Sequence, residues 1–357
     1  MAHIIVHTKW VMILMLCILI SMIHGQQVPC LFFMGDSLSD NGNNNMRLTL
    51  AKANYQPYGI DYPGGPTGRF TNNKNVPDYL AQSLGFADSI PPFATAGLSV
   101  LKGGVNYASG GAGILDETGR ALGDVISLNR QLLNHQITIS RLSLLVGPFR
   151  VTAYLNKCLY VVNMGSNDYI NNYLQPLVYP SSKIFTPDQF AQRLIQQYSR
   201  QLKSLYSSGA RKVAVSGLGF LGCIPQLLAS TPANASGCVD YVNNYVQLFN
   251  NRLKPLVDNL NANLPGAKFT YINTTSISLG IDLVALGIRV FNAPCCIVSA
   301  GGQCEPNQVP CSNRNQFLFY DNFHPTGIIN QAAAARTYNA VSPSDASPYD
   351  INQLAQQ

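Results

Sequence analysis

Leu31-Phe32-Phe33-Met34-Gly35-Asp36-Ser37-Leu38 is the stretch that decides the fold. Four apolar residues run together and stop at a glycine. A run that short, bounded by a turn residue, fits a strand buried on both faces of a parallel sheet. The pattern recurs: Leu159–Met164 closes on Gly165, Lys212–Val215 leads into Ser216-Gly217, and Phe269–Ile272 closes on Asn273. Between these runs the period changes to that of a helix. Thr186-Pro187-Asp188-Gln189 is a capping box with proline at the first helical position. Phe190, Leu194, Ile195, Tyr198, Leu202 and Leu205 follow at helical spacing, and Gly209 is a natural stop. Val242 to Leu260 marks a second helix, and Ile126 to Leu145 a weaker one. Strands alternating with helices predict an α/β fold, a doubly wound and mostly parallel sheet between helices. In such folds ligands gather beyond the carboxyl ends of the strands.

Composition narrows the class. The chain has 357 residues, 46% apolar and 11% charged, which excludes a disordered chain. Its net charge of +6 comes with no basic run, so no nucleic-acid partner is expected. Lys9 is followed by an apolar run, Trp10 to Ile23, of 14 residues. That is short of the roughly 20 that span a bilayer. Residues 1–25 therefore read as a signal peptide, and 26–357 as a single domain of a secreted protein with no transmembrane segment. Cys17 leaves with the signal, and eight cysteines remain, an even number that favours disulfides in a secreted chain. Cys295, Cys296, Cys304 and Cys311 lack the paired C-x2-C spacing of zinc sites, so no metal is expected there. Their pairing is left open. Asn234 and Asn273 each begin a glycosylation sequon.

Several turns beyond the strands carry groups suited to acyl transfer. Ser37 sits where the first strand ends, although that segment taken alone also fits a turn or helix cap. Asp321-Asn322-Phe323-His324 places a carboxylate three residues before an imidazole. An aspartate there can hold one ring nitrogen and leave the other free as a general base. His135, the only other histidine past the signal, has no acidic residue near it. Two further turns, Gly165-Ser166-Asn167-Asp168 and Asn106-Tyr-Ala-Ser109-Gly110-Gly111-Ala-Gly113, could supply amide and backbone donors to a developing oxyanion. The G-x-S-x-G elbow of α/β-hydrolases is absent. Gly217-Leu-Gly219-Phe-Leu-Gly222 matches a dinucleotide fingerprint, but Cys223-Ile224-Pro225 and a Ser/Thr/Pro/Asn-rich stretch follow where that site needs a helix to open. No cofactor is expected.

Gly35–Asn44, Ala108–Gly110, Gly165–Asp168 and Asp321–His324, in that order, resemble the four blocks of the GDSL esterase/lipase family of the SGNH hydrolases, in its plant form. Thr67–Thr71, Gly217–Pro225 and the Cys295-Cys296 pair are also similar to that family. The resemblance runs from about Cys30 to Tyr338. It implies a three-layer, flavodoxin-like sandwich and a secreted serine esterase or lipase needing no cofactor. It further implies Ser37 as nucleophile, His324 as base, Asp321 as its orienting carboxylate, and an oxyanion hole made by the Ser37 and Gly110 N–H groups with the Asn167 amide. Two residues depart from the pattern: Tyr320 stands where the family often has Trp, and Gly327 where an acidic residue is common. Both put the shape of the substrate site in question. The expected partner is a small-molecule or lipid ester. A carbohydrate esterase or acyltransferase with the same residues, or a cell-wall or lipid-binding protein on the same scaffold, are the rival functions. The Tyr-rich stretches Tyr55–Tyr62 and Asn167–Tyr179 are candidates to line a cleft.

Overall fold

The computed structural model of the protein describes residues 25–231 and 237–357. The expected signal peptide, Gly25 apart, and the sequon at Asn234 lie outside the described residues. The four apolar runs form strands β1 (Leu31–Gly35), β2 (Leu159–Asn163), β3 (Lys212–Ser216) and β4 (Lys268–Ile272). All four pair in parallel, with Leu31 against Leu159, Leu159 against Lys212 and Lys212 against Lys268. Their carboxyl ends therefore lie along one edge. A separate two-stranded ladder joins β5 (Val290–Pro294) and β6 (Phe317–Phe319), and β7 (Ala346–Ser347) runs antiparallel beside β4.

On the other side of β1 lies a short parallel bridge, Phe33 to Asn106. Phe33 N–H donates to Val105 O at 3.2 Å, and Tyr107 N–H donates to Phe33 O at 2.8 Å. The chain leaves β1 toward this edge and then crosses back to β2. The strand order thus reverses at β1, and a crevice opens beyond its carboxyl end.

Alternate strand residues face opposite sides, which explains why the runs are apolar throughout. Phe32, Met34, Tyr160 and Val162 join one core cluster, which also holds buried residues of three long helices. Leu31, Phe33, Leu159 and Val161 join another, with three shorter helices. In chain order the six are α1 (Val76–Ser83), α2 (Leu128–Val146), α3 (Pro187–Ser207), α4 (Asp240–Asn263), α5 (Gly327–Tyr338) and α6 (Ile351–Ala355). Helices α2, α3 and α4 cover the first face; α1, α5 and α6 cover the second. This is the three-layer α/β arrangement. The capping box forms at the start of α3, with Gln189 N–H donating to Thr186 Oγ1 and Thr186 N–H donating to Gln189 Oε1.

The eight cysteines among the described residues all pair: Cys30–Cys158, Cys223–Cys238, Cys295–Cys311 and Cys296–Cys304. The first ties together the residues immediately before β1 and β2. The last two are nested in the connection between β5 and β6. Among the described residues no helix is long and apolar enough to cross a membrane.

One buried side chain fixes the end of β1. Gln131 of α2 accepts from Gly35 N–H at 2.9 Å and donates to Gly35 O at 2.8 Å and to Ile126 O at 2.9 Å. Gln131→Ala would leave the Gly35 N–H buried without a partner. It should destabilise the protein by about 2–3 kcal/mol in chemical denaturation; an unchanged midpoint would show that the contact does not stabilise the fold.

Candidate active site

Asp36 and Ser37 follow β1 directly into the crevice. The turn is built from the aspartate itself: Ser39 N–H donates to Asp36 O at 3.1 Å, and Leu38 N–H donates to Asp36 Oδ1 at 3.0 Å. It leaves Ser37 half-buried, facing the cleft.

Asp321 and His324 approach from the other end of the chain. Tyr320 N–H donates to His324 O at 2.7 Å, closing a tight loop. Inside it Asp321 Oδ1 accepts from the N–H groups of Phe323 and His324, both at 2.8 Å. The two carboxylate oxygens lie 2.8 and 2.7 Å from His324 Nδ1. The opposite nitrogen, Nε2, lies 2.7 Å from Ser37 Oγ. Serine, imidazole and carboxylate thus form one continuous chain. Asp321 is fully buried, and the Phe70 ring packs 4.9 Å from the imidazole. A carboxylate on Nδ1 keeps a proton there and leaves the Nε2 lone pair for the serine hydroxyl.

Asn167 lies just beyond β2 and lines the cleft. Gly165, at φ +129°, makes the turn that lets the chain re-enter a helical turn there. One Asn167 Nδ2 proton goes to Ala112 O at 2.9 Å, while Asn171 Nδ2 donates to Asn167 Oδ1 at 2.7 Å. The amide is oriented with one proton to spare.

Gly110 is not placed as expected. Its N–H donates to Asp40 Oδ2 at 2.9 Å, so it is already committed to a buried carboxylate. The next residue, Gly111, lines the cleft, and its N–H donates to no group among the described residues; the same holds for Ser37 N–H. Gly111 has φ +80°, and a Cβ there would approach Leu122 Cδ1 to 2.9 Å. The sequence offers two adjacent glycines, and the hydrogen bond from Gly110 N–H to Asp40 distinguishes them.

The asparagines after Ser37 hold that loop. Asp40 Oδ1 accepts from Gly42 N–H and Asn43 N–H. Asn43 Nδ2 donates to the carbonyls of Asn106 and Ala108, and Asn44 Nδ2 to those of Ala51 and Gly110. Asp168 plays the same part for the following segment, accepting from Ile114 N–H, Leu115 N–H and the Thr118 hydroxyl.

Neither departure from the family pattern reaches the cleft. Tyr320 is buried, its hydroxyl donating to Pro57 O at 2.6 Å. Gly327 donates to Asn72 Oδ1, and a Cβ there would lie 2.6 Å from Asn73 Cβ. Of the two Tyr-rich stretches, Asn167, Ile170 and Asn171 line the cleft but none of the tyrosines does. The cleft wall is largely apolar: Phe70, Leu122, Ile170, Leu221, Ile224 and Phe323 contribute to it. His135 is sealed among Phe32, Tyr107 and Tyr160, and burial pushes its imidazole down to about 3. Asn273 is half-buried and caps the short helix Thr274–Gly280 through its Oδ1. Among the described residues no group of three or more His, Cys, Asp or Glu side chains could hold a metal ion.

The model of the GDSL-like lipase/acylhydrolase family matches residues 31–337. A GDSL esterase/lipase of Arabidopsis thaliana is 50% identical over 359 residues, covering 98% of both chains. Two others from the same plant are 45% identical over 96% of this chain and 98% of the relative, and 47% identical over 92% of each.

The buried carboxyls give the fold a pH dependence. Burial pushes Asp36 and Asp40 up to about 6 and Asp168 up to about 7, against an ordinary 3.8. Between these values the folded chain holds protons that the unfolded chain releases, so stability falls as pH rises. His135 acts in the opposite sense, as do Asp61, Asp124 and Asp345, whose arginine partners hold their carboxyls below the usual value, but those three act mainly below about pH 4.5 and leave one imidazole against three carboxyls above it. The melting temperature should therefore fall between about pH 4.5 and pH 7. A melting temperature that climbs across that window would contradict these assignments.

Proposed function

The chain belongs to the GDSL-like lipase/acylhydrolase family and is a carboxylic ester hydrolase, and on that premise we propose that Ser37, His324 and Asp321 carry out the hydrolysis in a secreted serine esterase or lipase. Ser37 Oγ attacks the ester carbonyl as its proton passes to His324 Nε2. Asp321 keeps the imidazole oriented and offsets its charge. The carbonyl oxygen, now negative, is received by the N–H groups of Ser37 and Gly111 and by the spare Asn167 Nδ2 proton. The C–O bond to the alcohol breaks, and His324 returns its proton to the departing oxygen. Water then loses a proton to His324, adds to the acyl-Ser37 carbonyl and releases the acid, and Ser37 recovers its proton.

What carries this proposal is the unbroken contact from Ser37 Oγ through His324 to Asp321 at hydrogen-bond distances. The apolar wall beside it favours an acyl or lipid ester over a polysaccharide ester, because each methylene buried is worth about 0.8 kcal/mol. Four disulfides suit an oxidising, extracellular compartment.

Ser37→Ala should reduce hydrolysis of p-nitrophenyl butyrate to background with the melting temperature retained; full activity would remove Ser37 from the mechanism. Asn167→Ala should lower kcat roughly 100- to 1000-fold, the scale of one lost oxyanion donor. An unaffected kcat would show that this amide does not face the oxyanion.

A further inference from the structure

We propose that Tyr58 is a positioning residue for Asp321, completing a buried relay that runs from Tyr58 through Asp321 and His324 to Ser37. This rests on the roles assigned above. Tyr58 is fully buried, and its hydroxyl donates to Asp321 Oδ2 at 2.6 Å. Oδ1 of Asp321 is held by two backbone N–H groups, but among the described residues Oδ2 has only Tyr58 besides the imidazole. Without that hydroxyl Oδ2 keeps only the imidazole that the carboxylate is to orient.

The hydroxyl is itself fixed in direction. It accepts from Cys304 N–H at 3.1 Å, which commits its own proton to Asp321. Cys304 is bound to Cys296, and Cys296 N–H donates to Tyr320 O, the residue before Asp321. Tyr55 donates to Cys304 O at 2.9 Å from the other side. The covalently closed segment 296–304 thus grips both the backbone entering Asp321 and the hydroxyl touching its carboxylate. Rings of Tyr55, Phe70 and Tyr320 pack edge-on around Tyr58 at 5.4–6.0 Å. Burial and the adjacent Asp321 raise the phenol well above its ordinary value, so it stays a donor across the working pH range. Tyr58 does not line the cleft, so it acts on Asp321 and not on substrate.

Tyr58→Phe keeps the ring and removes the donor. On p-nitrophenyl butyrate it should lower kcat about tenfold, the scale of one hydrogen bond to a charged group, with KM unchanged. In an Asp321→Asn background the same change should have no further effect, because its target is gone. An equal loss in both backgrounds, a loss carried by KM, or no loss at all would overturn the proposal. Replacing Tyr58 with 3-fluorotyrosine, which preserves both contacts, guards against misfolding. It should shift the far-downfield proton resonance of the His324–Asp321 hydrogen bond; an unmoved resonance would count against the relay. Failure of Ser37→Ala to abolish activity would instead bring down the underlying assignment of roles.

Discussion

The contact between Ser37 Oγ and His324 Nε2 joins residues 287 positions apart in the chain across 2.7 Å. Most of the architecture can be understood as what holds that contact. The parallel sheet brings Ser37 to the end of β1 and Asn167 to the end of β2, on one edge. The reversal of strand order at β1 opens the crevice between them. The histidine comes from a separate loop, closed by the Tyr320–His324 backbone hydrogen bond and braced by the nested disulfides.

A site built from loops at strand ends has a cost. Many of its backbone N–H and C=O groups are buried with no ladder to pair in, and each unpaired group would cost about 1–3 kcal/mol. Short polar side chains meet this demand. Gln131 pairs with the last residue of β1, Asp40, Asn43 and Asn44 tie the Ser37 loop to the Gly110–Gly111 loop, and Asp168 holds the segment that follows. The arrangement of the donors proposed for the oxyanion comes out of this scaffold. Asp40 takes one glycine N–H out of use and leaves its neighbour facing the cleft, and Asn167 gives one proton to Ala112 and keeps one.

Much of this was legible in the sequence. The four strands and three long helices follow from period and punctuation, because a sheet buried on both faces must be apolar throughout and a helix on one face cannot be. Ser37 at a strand end and the spacing of Asp321 and His324 made them candidates, the resemblance of four ordered blocks singled them out, and the structure brings the three into contact. Residue type does not separate the two adjacent glycines Gly110 and Gly111, whereas the hydrogen bond of Gly110 N–H to Asp40 does, and it leaves Gly111 N–H as the donor proposed for the oxyanion. Tyr58 went unnoticed for a related reason: a tyrosine among tyrosines has no local pattern, and its role depends on a contact 263 residues away. The disulfide pairing, likewise, depends on which loops meet and not on spacing.

The central claim, that Ser37 is the nucleophile of this ester hydrolase, is most directly tested by covalent trapping. The protein would be treated with a fluorophosphonate, digested, and the modified position mapped by mass spectrometry. One phosphonyl group on Ser37, with activity lost in proportion to labelling, is the predicted result. Labelling of a different serine, or complete activity with Ser37 unmodified at saturating probe, would contradict it.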